Sequence, residues 1–149
     1  MFSAVIPTKD NSSSLSRALL STKNKNIVER IVVTDSYLSI TPNPLADKWL
    51  SNYKQLGPGI ARNKGILEAK GDFLLFLDSD DEFYLTGIEK VADYINCFNG
   101  KPPDIVVFDW KIFVAFDKST PSSFEQPKRI IKVKKSIYLF GIIFIYFVD

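Results

Sequence analysis

Histidine is absent from all 149 residues, and cysteine occurs once. Without histidine there is no Ser-His hydrolytic pair, no His-zinc site and no imidazole proton shuttle. The single Cys97 cannot pair within the chain. It lies in an amphipathic helical pattern and reads as a small buried hydrophobe in a reducing compartment, with no histidine to make it a nucleophile. Charge of one sign is also lacking: 19 basic against 17 acidic residues leave +2, too little and too evenly spread to call for a nucleic-acid partner. The apolar run Ile137 to Val148 falls short of the roughly 20 residues that cross a bilayer. Met1 to Thr8 has neither the basic lead nor the small-residue cleavage site of a signal peptide.

Three phosphate- and ion-binding motifs are missing too. Gly57-Pro58-Gly59 lacks the third glycine of a dinucleotide fingerprint and does not directly follow a strand. No Gly-Lys-Ser/Thr phosphate loop occurs. A calcium loop starting at Asp78 fails because Phe83 stands where its sixth residue must be glycine.

What is present is an ordinary globular composition, 46% hydrophobic and 24% charged, in a length suited to one domain over 1–149. Ser3 to Pro7 reads as a strand, and Leu15, Ala18 and Leu19 after the Ser12 to Ser14 cluster read as a serine-capped helix. Ile27 to Val33 is a β-branched strand fit to be buried on both faces, ending at Thr34, Asp35 and Ser36. Leu38 to Pro44 is loop, and Leu45 to Tyr53 suggests a short helix. A helix follows from about Ile60 to Lys70, closed by Gly71 in the left-handed position common at helix ends. Phe73 to Leu77 is a very apolar strand running into Asp78-Ser79-Asp80-Asp81. Thr86 and Glu89 form a capping box for a helix with an inner stripe of Ile88, Val91, Ile95 and Phe98, ended by Gly100. Ile105 to Phe108, bending on through Trp110 to Phe116, is a further strand that closes a core over 1–116. Over 117–149 the chain reads as the Ser119 to Pro127 loop, a strand at Arg129 to Val133, and the apolar tail. That tail, behind the basic stretch Lys128 to Lys135, is a buried element, a membrane-surface anchor, or an incomplete element of a longer chain. Strands alternating with helices predict an α/β fold with an open, mainly parallel sheet flanked by helices.

Ligands of such sheets lie beyond the carboxyl ends of the strands. Three predicted strands end there in short polar residues: Thr8 and Asp10, Asp35 and Ser36, and Asp78 to Asp81. Residues two apart in an extended segment project to one side, so Asp78 and Asp80 are expected in one cleft. Their mutual repulsion turns favourable beside a hard divalent cation, and oxygen ligands alone suit magnesium or manganese rather than zinc. A diphosphate would complete the coordination sphere.

The stretches Ser3-Ala-Val-Ile-Pro-Thr8, Ile31-Val-Val-Thr-Asp35-Ser36, Gly59-Ile-Ala-Arg-Asn63-Lys-Gly65-Ile and Gly71-Asp-Phe-Leu-Leu-Phe-Leu-Asp78-Ser-Asp80-Asp81 resemble, in order and spacing over roughly the first 110 residues, the family 2 inverting GT-A glycosyltransferases. The resemblance implies a Rossmann-like GT-A sheet, a nucleoside diphosphate sugar as donor, a Mn2+ or Mg2+ cofactor, and a carbohydrate or lipid-linked acceptor. It implies a donor-nucleotide site of Pro7, Thr8, Asp10, Asp35, Arg62, Asn63, Asp78 and Ser79, with Asp80 and Asp81 at the metal. Within that set Thr8 and Asp10 would lie near base and ribose, Asp35 would bond the nucleobase, Arg62 would approach the diphosphate, and Asp78 would face the ribose. Thr34 stands where the family often has Asp, and Asp10 where it often has Asn.

An inverting displacement needs a base for the acceptor hydroxyl, and family members carry it on a downstream Glu-Asp pair with no counterpart here. The carboxylates Glu125 and Asp149 have no context that singles them out. The expectation is a truncated or fragmentary enzyme that binds donor and transfers sugar poorly or not at all, in the cytoplasm or at the inner membrane face, with the tail as a peripheral membrane contact. Two alternatives stand beside it: a non-catalytic nucleotide-binding remnant, and an aspartate-based phosphotransferase. Against the latter, Glu82 departs from that superfamily's pattern, and the motif falls on about the fourth strand instead of the first.

Overall fold

The computed structural model describes residues 1–84, 86–97 and 145–147. Its elements are β1 (Phe2–Thr8), α1 (Ser13–Ser21), β2 (Ile27–Thr34), β3 (Lys48–Ser51), α2 (Pro58–Glu68), β4 (Phe73–Phe76), α3 (Gly87–Asn96) and β5 (Ile145–Phe147). They form a five-stranded sheet in the order β3-β2-β1-β4-β5. The first four strands are parallel, and β5 runs antiparallel to β4 with Phe73 opposite Phe147 and Leu75 opposite Ile145. The fold is the α/β class expected from the alternation of apolar runs.

β1 is central because every one of its residues is buried, Ser3 and Thr8 included. Its alternating side chains serve two cores. Ile6, with Val32 and Leu77, packs against Leu15, Ala18 and Leu19 of α1, while Phe2 and Leu75 pack against Ile88, Val91 and Ile95 of α3. On the other face Val5, Leu74 and Phe76 meet Ile66 and Ala69, and Ile31 and Val33 meet Ala61 of α2. The connection from β1 through α1 steps outward to β2, whereas that from β3 through α2 steps back past β1 to β4. Right-handed crossovers in opposite directions put α1 and α2 on opposite faces, and the reversal falls around β1.

Ser12 caps α1 as expected, its Oγ accepting from the Leu15 amide at 3.4 Å. Elsewhere the local expectations are corrected. Residues 48–51 are an edge strand rather than part of a helix; Ile31 to Thr34 of β2 offers them a ladder from Lys48 to Ser51, and that pairing outweighs weak local preference. α2 opens two residues earlier than expected because Pro58 occupies its first turn, where a missing N–H costs nothing. Gly71 has no left-handed backbone; it is needed because a side chain there would come within 2.6 Å of the Ser3 amide nitrogen. Thr86 makes no side-chain capping bond, being itself in a helical conformation. Cys97 is the exposed C-cap of α3, not a core residue, since the helix ends just beyond Ile95 and turns it outward. β2 is half-buried to exposed along Ile27 and Val28, and after the buried Glu29 and half-buried Arg30 it is continuously buried from Ile31 onward. Of the apolar tail, Ile145–Phe147 is the strand β5; the rest of the tail lies outside the described residues, as do Phe98, Gly100, the expected strands at 105–116 and 129–133, the 119–127 loop, Glu125 and Asp149.

Candidate functional site

The carboxyl ends of β2, β1 and β4 lie side by side. The Asp35 amide donates to the Thr8 carbonyl at 2.7 Å, and the Leu77 amide donates to the Val5 carbonyl at 3.2 Å, carrying the alignment one residue past each ladder. The side chains that follow are sorted by strand parity. Asp35 continues the Ile31 and Val33 face, and Asp78 continues the Leu74 and Phe76 face, so both are directed to the side occupied by α2.

At the end of β1, Pro7 and Thr8 are buried. The Thr8 hydroxyl donates to the Asp10 carbonyl at 2.7 Å, and the Asp10 carboxylate accepts from the Ser12 amide at 3.1 Å. Asp10 thereby shapes the entry to α1 while its side chain stays exposed. Asp35 is 4% exposed, and its carboxylate is a hub. Oδ1 accepts from Asn52 Nδ2 at 3.0 Å and from the Leu56 amide at 2.9 Å; Oδ2 accepts from the Gly57 amide at 2.7 Å. Burial pushes its pKa up, but these bonds and the charge of Lys9 outweigh burial and hold it below the ordinary value. Of the four acceptor sites on a carboxylate, one on Oδ2 is left.

The acidic stretch is a tight turn rather than an extended segment: the Asp81 amide donates to the Asp78 carbonyl at 3.1 Å. Asp78 is 42% exposed and accepts from Arg62 Nη2 at 2.5 Å, while Asp80 and Asp81 are exposed and Ser79 half-buried. Partial burial and then the charges of Asp80 and Asp78 raise the pKa of Asp81, as three carboxylates crowded into one turn must. The loop beyond is tied to α1 by Arg17 Nε to Glu82 Oε1 at 2.9 Å and by the Phe83 amide to Ser21 Oγ at 3.0 Å. Arg62 lies in the second turn of α2, only 12% exposed, and its Nε is buried without a hydrogen-bond partner among the described residues. Asn63, beside it, is exposed.

Among the described residues, no group of three or more Asp, Glu or Cys side chains forms a complete metal cage. A cation held by only one or two carboxylates would need substrate phosphates and water to complete its shell. Burial comes first in raising Asp81 and the like charges of Asp80 and Asp78 second, and only the second would be relieved by a cation.

Sequence reasoning missed two features. Nothing in the sequence marks Asn52 as a partner of Asp35, because that bond depends on β3 lying beside β2. It also missed a pocket of about 230 Å³ at the carboxyl ends of β2 and β3, lined by Thr34, Ser39, Ile40, Pro42, Trp49, Ser51 and Tyr53.

The sequence profile described as Glycosyl transferase family 2 matches residues 3–125. Solved structures of S. aureus TarS 1-349 have the same fold. The ligand-free one has a TM-score of 0.57 at 24% identity, covering 82% of this chain and 38% of that one. Its complex with UDP-GlcNAc gives 0.60 at 24%, covering 84% and 38%, and its complex with UDP gives 0.62 at 24%, covering 84% and 39%. The chain thus spans about two fifths of the length of these structures. No curated protein sequence matches it.

Proposed function

Because the chain belongs to glycosyl transferase family 2, we propose that it binds a nucleoside diphosphate sugar across the carboxyl ends of β2, β1 and β4. The observation that carries this reading is the crowded Asp78–Asp81 turn at the reversal point of the sheet, where the nearly buried Arg62 pairs with Asp78. The TarS complexes with UDP and UDP-GlcNAc, on the same fold, support it.

In this proposal Asp80 and Asp81 hold Mn2+ or Mg2+. The cation, when bound, offsets the diphosphate charge and supplies Lewis-acid assistance to the leaving nucleoside diphosphate. Arg62 sits where its guanidinium fork can turn from Asp78 to phosphate oxygens, giving the orphaned Nε a partner and freeing Asp78 for the ribose. Ser79 and Asn63 line the approach. Pro7, Thr8 and Asp10 border base and ribose, and the one remaining acceptor on Asp35 Oδ2 takes a single ring N–H.

The reaction proposed at the family level is inverting transfer to a carbohydrate or lipid-linked acceptor, whose hydroxyl needs a carboxylate base. Among the described residues no helix is long and apolar enough to cross a membrane. A lipid-linked acceptor would bring the basic Lys128 to Lys135 stretch to an anionic surface. The test is release of nucleoside diphosphate from a panel of sugar donors, with and without acceptors and Mn2+. Binding of at least one donor in Mn2+ is expected; a folded chain that neither binds nor cleaves any donor would overturn the reading.

A further inference from the structure

Past Leu77, whose amide still bonds to β1, the chain leaves the sheet, and the next element, α3, opens at Gly87. The acidic turn lies in that connection. Its own backbone bond, from the Asp81 amide to the Asp78 carbonyl, closes it at 3.1 Å, while the like charges of Asp78, Asp80 and Asp81 act to spread it. What holds it reaches in from both faces of the sheet. On the α2 side Arg62 takes Asp78. On the α1 side the contacts are with the two residues that follow the turn.

Arg17 and Ser21 are four apart and so share one side of α1, beside the Leu15, Ala18 and Leu19 stripe that faces the core. Arg17 Nε meets Glu82 Oε1 at 2.9 Å. Ser21 Oγ donates to the Ala18 carbonyl at 2.7 Å and accepts from the Phe83 amide at 3.0 Å. The half-buried Phe83 side chain packs against both cores on that face, the one under α1 and the one under α3. These ties are unequal. Both members of the Arg17–Glu82 pair are more than half exposed, 56% and 51%, so water screens the pair and its loss changes little. The Phe83 tie is stronger, because a side chain wedged between two helices and a backbone amide bonded to one of them fix the path of the chain. They fix it two residues beyond Asp81, a span of at most about 7 Å, which leaves Asp81 little room to move. With Asp78 and Glu82 each paired to an arginine, Asp80 and Asp81 are the carboxylates of 78–82 that have no ion pair among the described residues.

We propose that α1 positions the acidic turn for its cation, with Ser21 and Phe83 as the positioning residues. They hold Asp80 and Asp81 together in advance, so that an incoming divalent ion does not have to gather them against their mutual repulsion. The proposal rests on the nucleoside diphosphate sugar reading above, whose cation the turn would carry.

The test is calorimetric titration of the whole chain with uridine diphosphate, guanosine diphosphate and inorganic pyrophosphate, in Mn2+ and in EDTA. It compares the parent with Ser21→Ala, Ser21→Thr and Phe83→Leu, and records the melting temperature of each. Ser21→Ala removes the acceptor of the Phe83 amide, and Ser21→Thr keeps it. Ser21→Ala should weaken binding in Mn2+ by about three- to tenfold, the worth of one hydrogen bond, and leave any binding in EDTA unchanged. Phe83→Leu should act in the same direction, and Ser21→Thr should restore the parent's affinity. Ser21→Ala and Phe83→Leu chains that keep the parent's ratio of affinities in Mn2+ and EDTA, whatever their melting temperature, would show that the two residues serve the fold alone; the positioning role then fails and the donor reading stands. A loss in Ser21→Thr as large as in Ser21→Ala would count against it equally. A folded parent chain that binds none of the three ligands in Mn2+ would sink both.

Discussion

At the scale of single residues, the acidic side chains divide by whether the protein has already satisfied them. Asp35 is satisfied. Its pKa is held below the ordinary carboxylate value of about 3.9, so its contribution to stability is complete above that value and disappears as the pH falls through the lowered one. Asp35→Asn should therefore flatten the acid limb of the stability profile, and should cost about 1–3 kcal/mol at neutral pH by leaving buried amides short of an acceptor. Acid titration of unfolding measured by circular dichroism checks it. Asp81, crowded by Asp80 and Asp78, is the opposite case. The raised pKa of Asp81 means its charge is disfavoured in the folded chain, so stability should rise as the pH falls through that value. Asp80→Asn should accordingly raise the melting temperature without metal and abolish the increase that Mn2+ gives the parent protein. A variant still stabilised by Mn2+ would remove Asp80 from the cation site. The types and order of these residues were legible in the sequence, because aspartates at strand ends point to a ligand edge. Their hydrogen-bond partners were not, since Asn52 and Gly57 reach Asp35 only after the chain has folded.

At the scale of elements, long apolar runs declared themselves and short ones did not. β1, β2 and β4 are built from apolar, β-branched or aromatic runs that read as strands, whereas Lys48–Ser51 becomes a strand through its partner β2. The close seating of α2 is a second tertiary effect. A methyl group at Gly65 would overlap Val5 Cγ1 and crowd Val33, so the glycine sets how near α2, and Arg62 with it, lies to the sheet. Gly65→Ala should destabilise by about 1–3 kcal/mol in urea unfolding and should also weaken diphosphate binding, because the helix carrying Arg62 must shift. Unchanged stability would show that the helix adapts freely. Arg62→Ala, in contrast, should spare the fold and weaken a nucleoside diphosphate by about tenfold to a hundredfold, with little effect on the free nucleoside, as calorimetry would show.

At the scale of the whole molecule, two opposed crossovers gather the ends of β2, β1 and β4 along one edge, and residues far apart in sequence become one surface. The alternation of elements made the open, mainly parallel sheet readable, but not its strand order. The neutral pocket was not readable, because its walls come from the β2–β3 loop and from an edge strand that local pattern assigns to a helix. Donor binding in this proposal requires the acidic turn to act as a cation-dependent diphosphate site. Its most direct test is calorimetric titration of the whole chain with uridine and guanosine diphosphate, in Mn2+ and in EDTA, repeated with Asp80→Asn. Binding in Mn2+ that weakens about tenfold or more in EDTA, and equally in the variant, is the expected result. Binding of the same strength with and without the metal, or no binding to a folded chain, would contradict it.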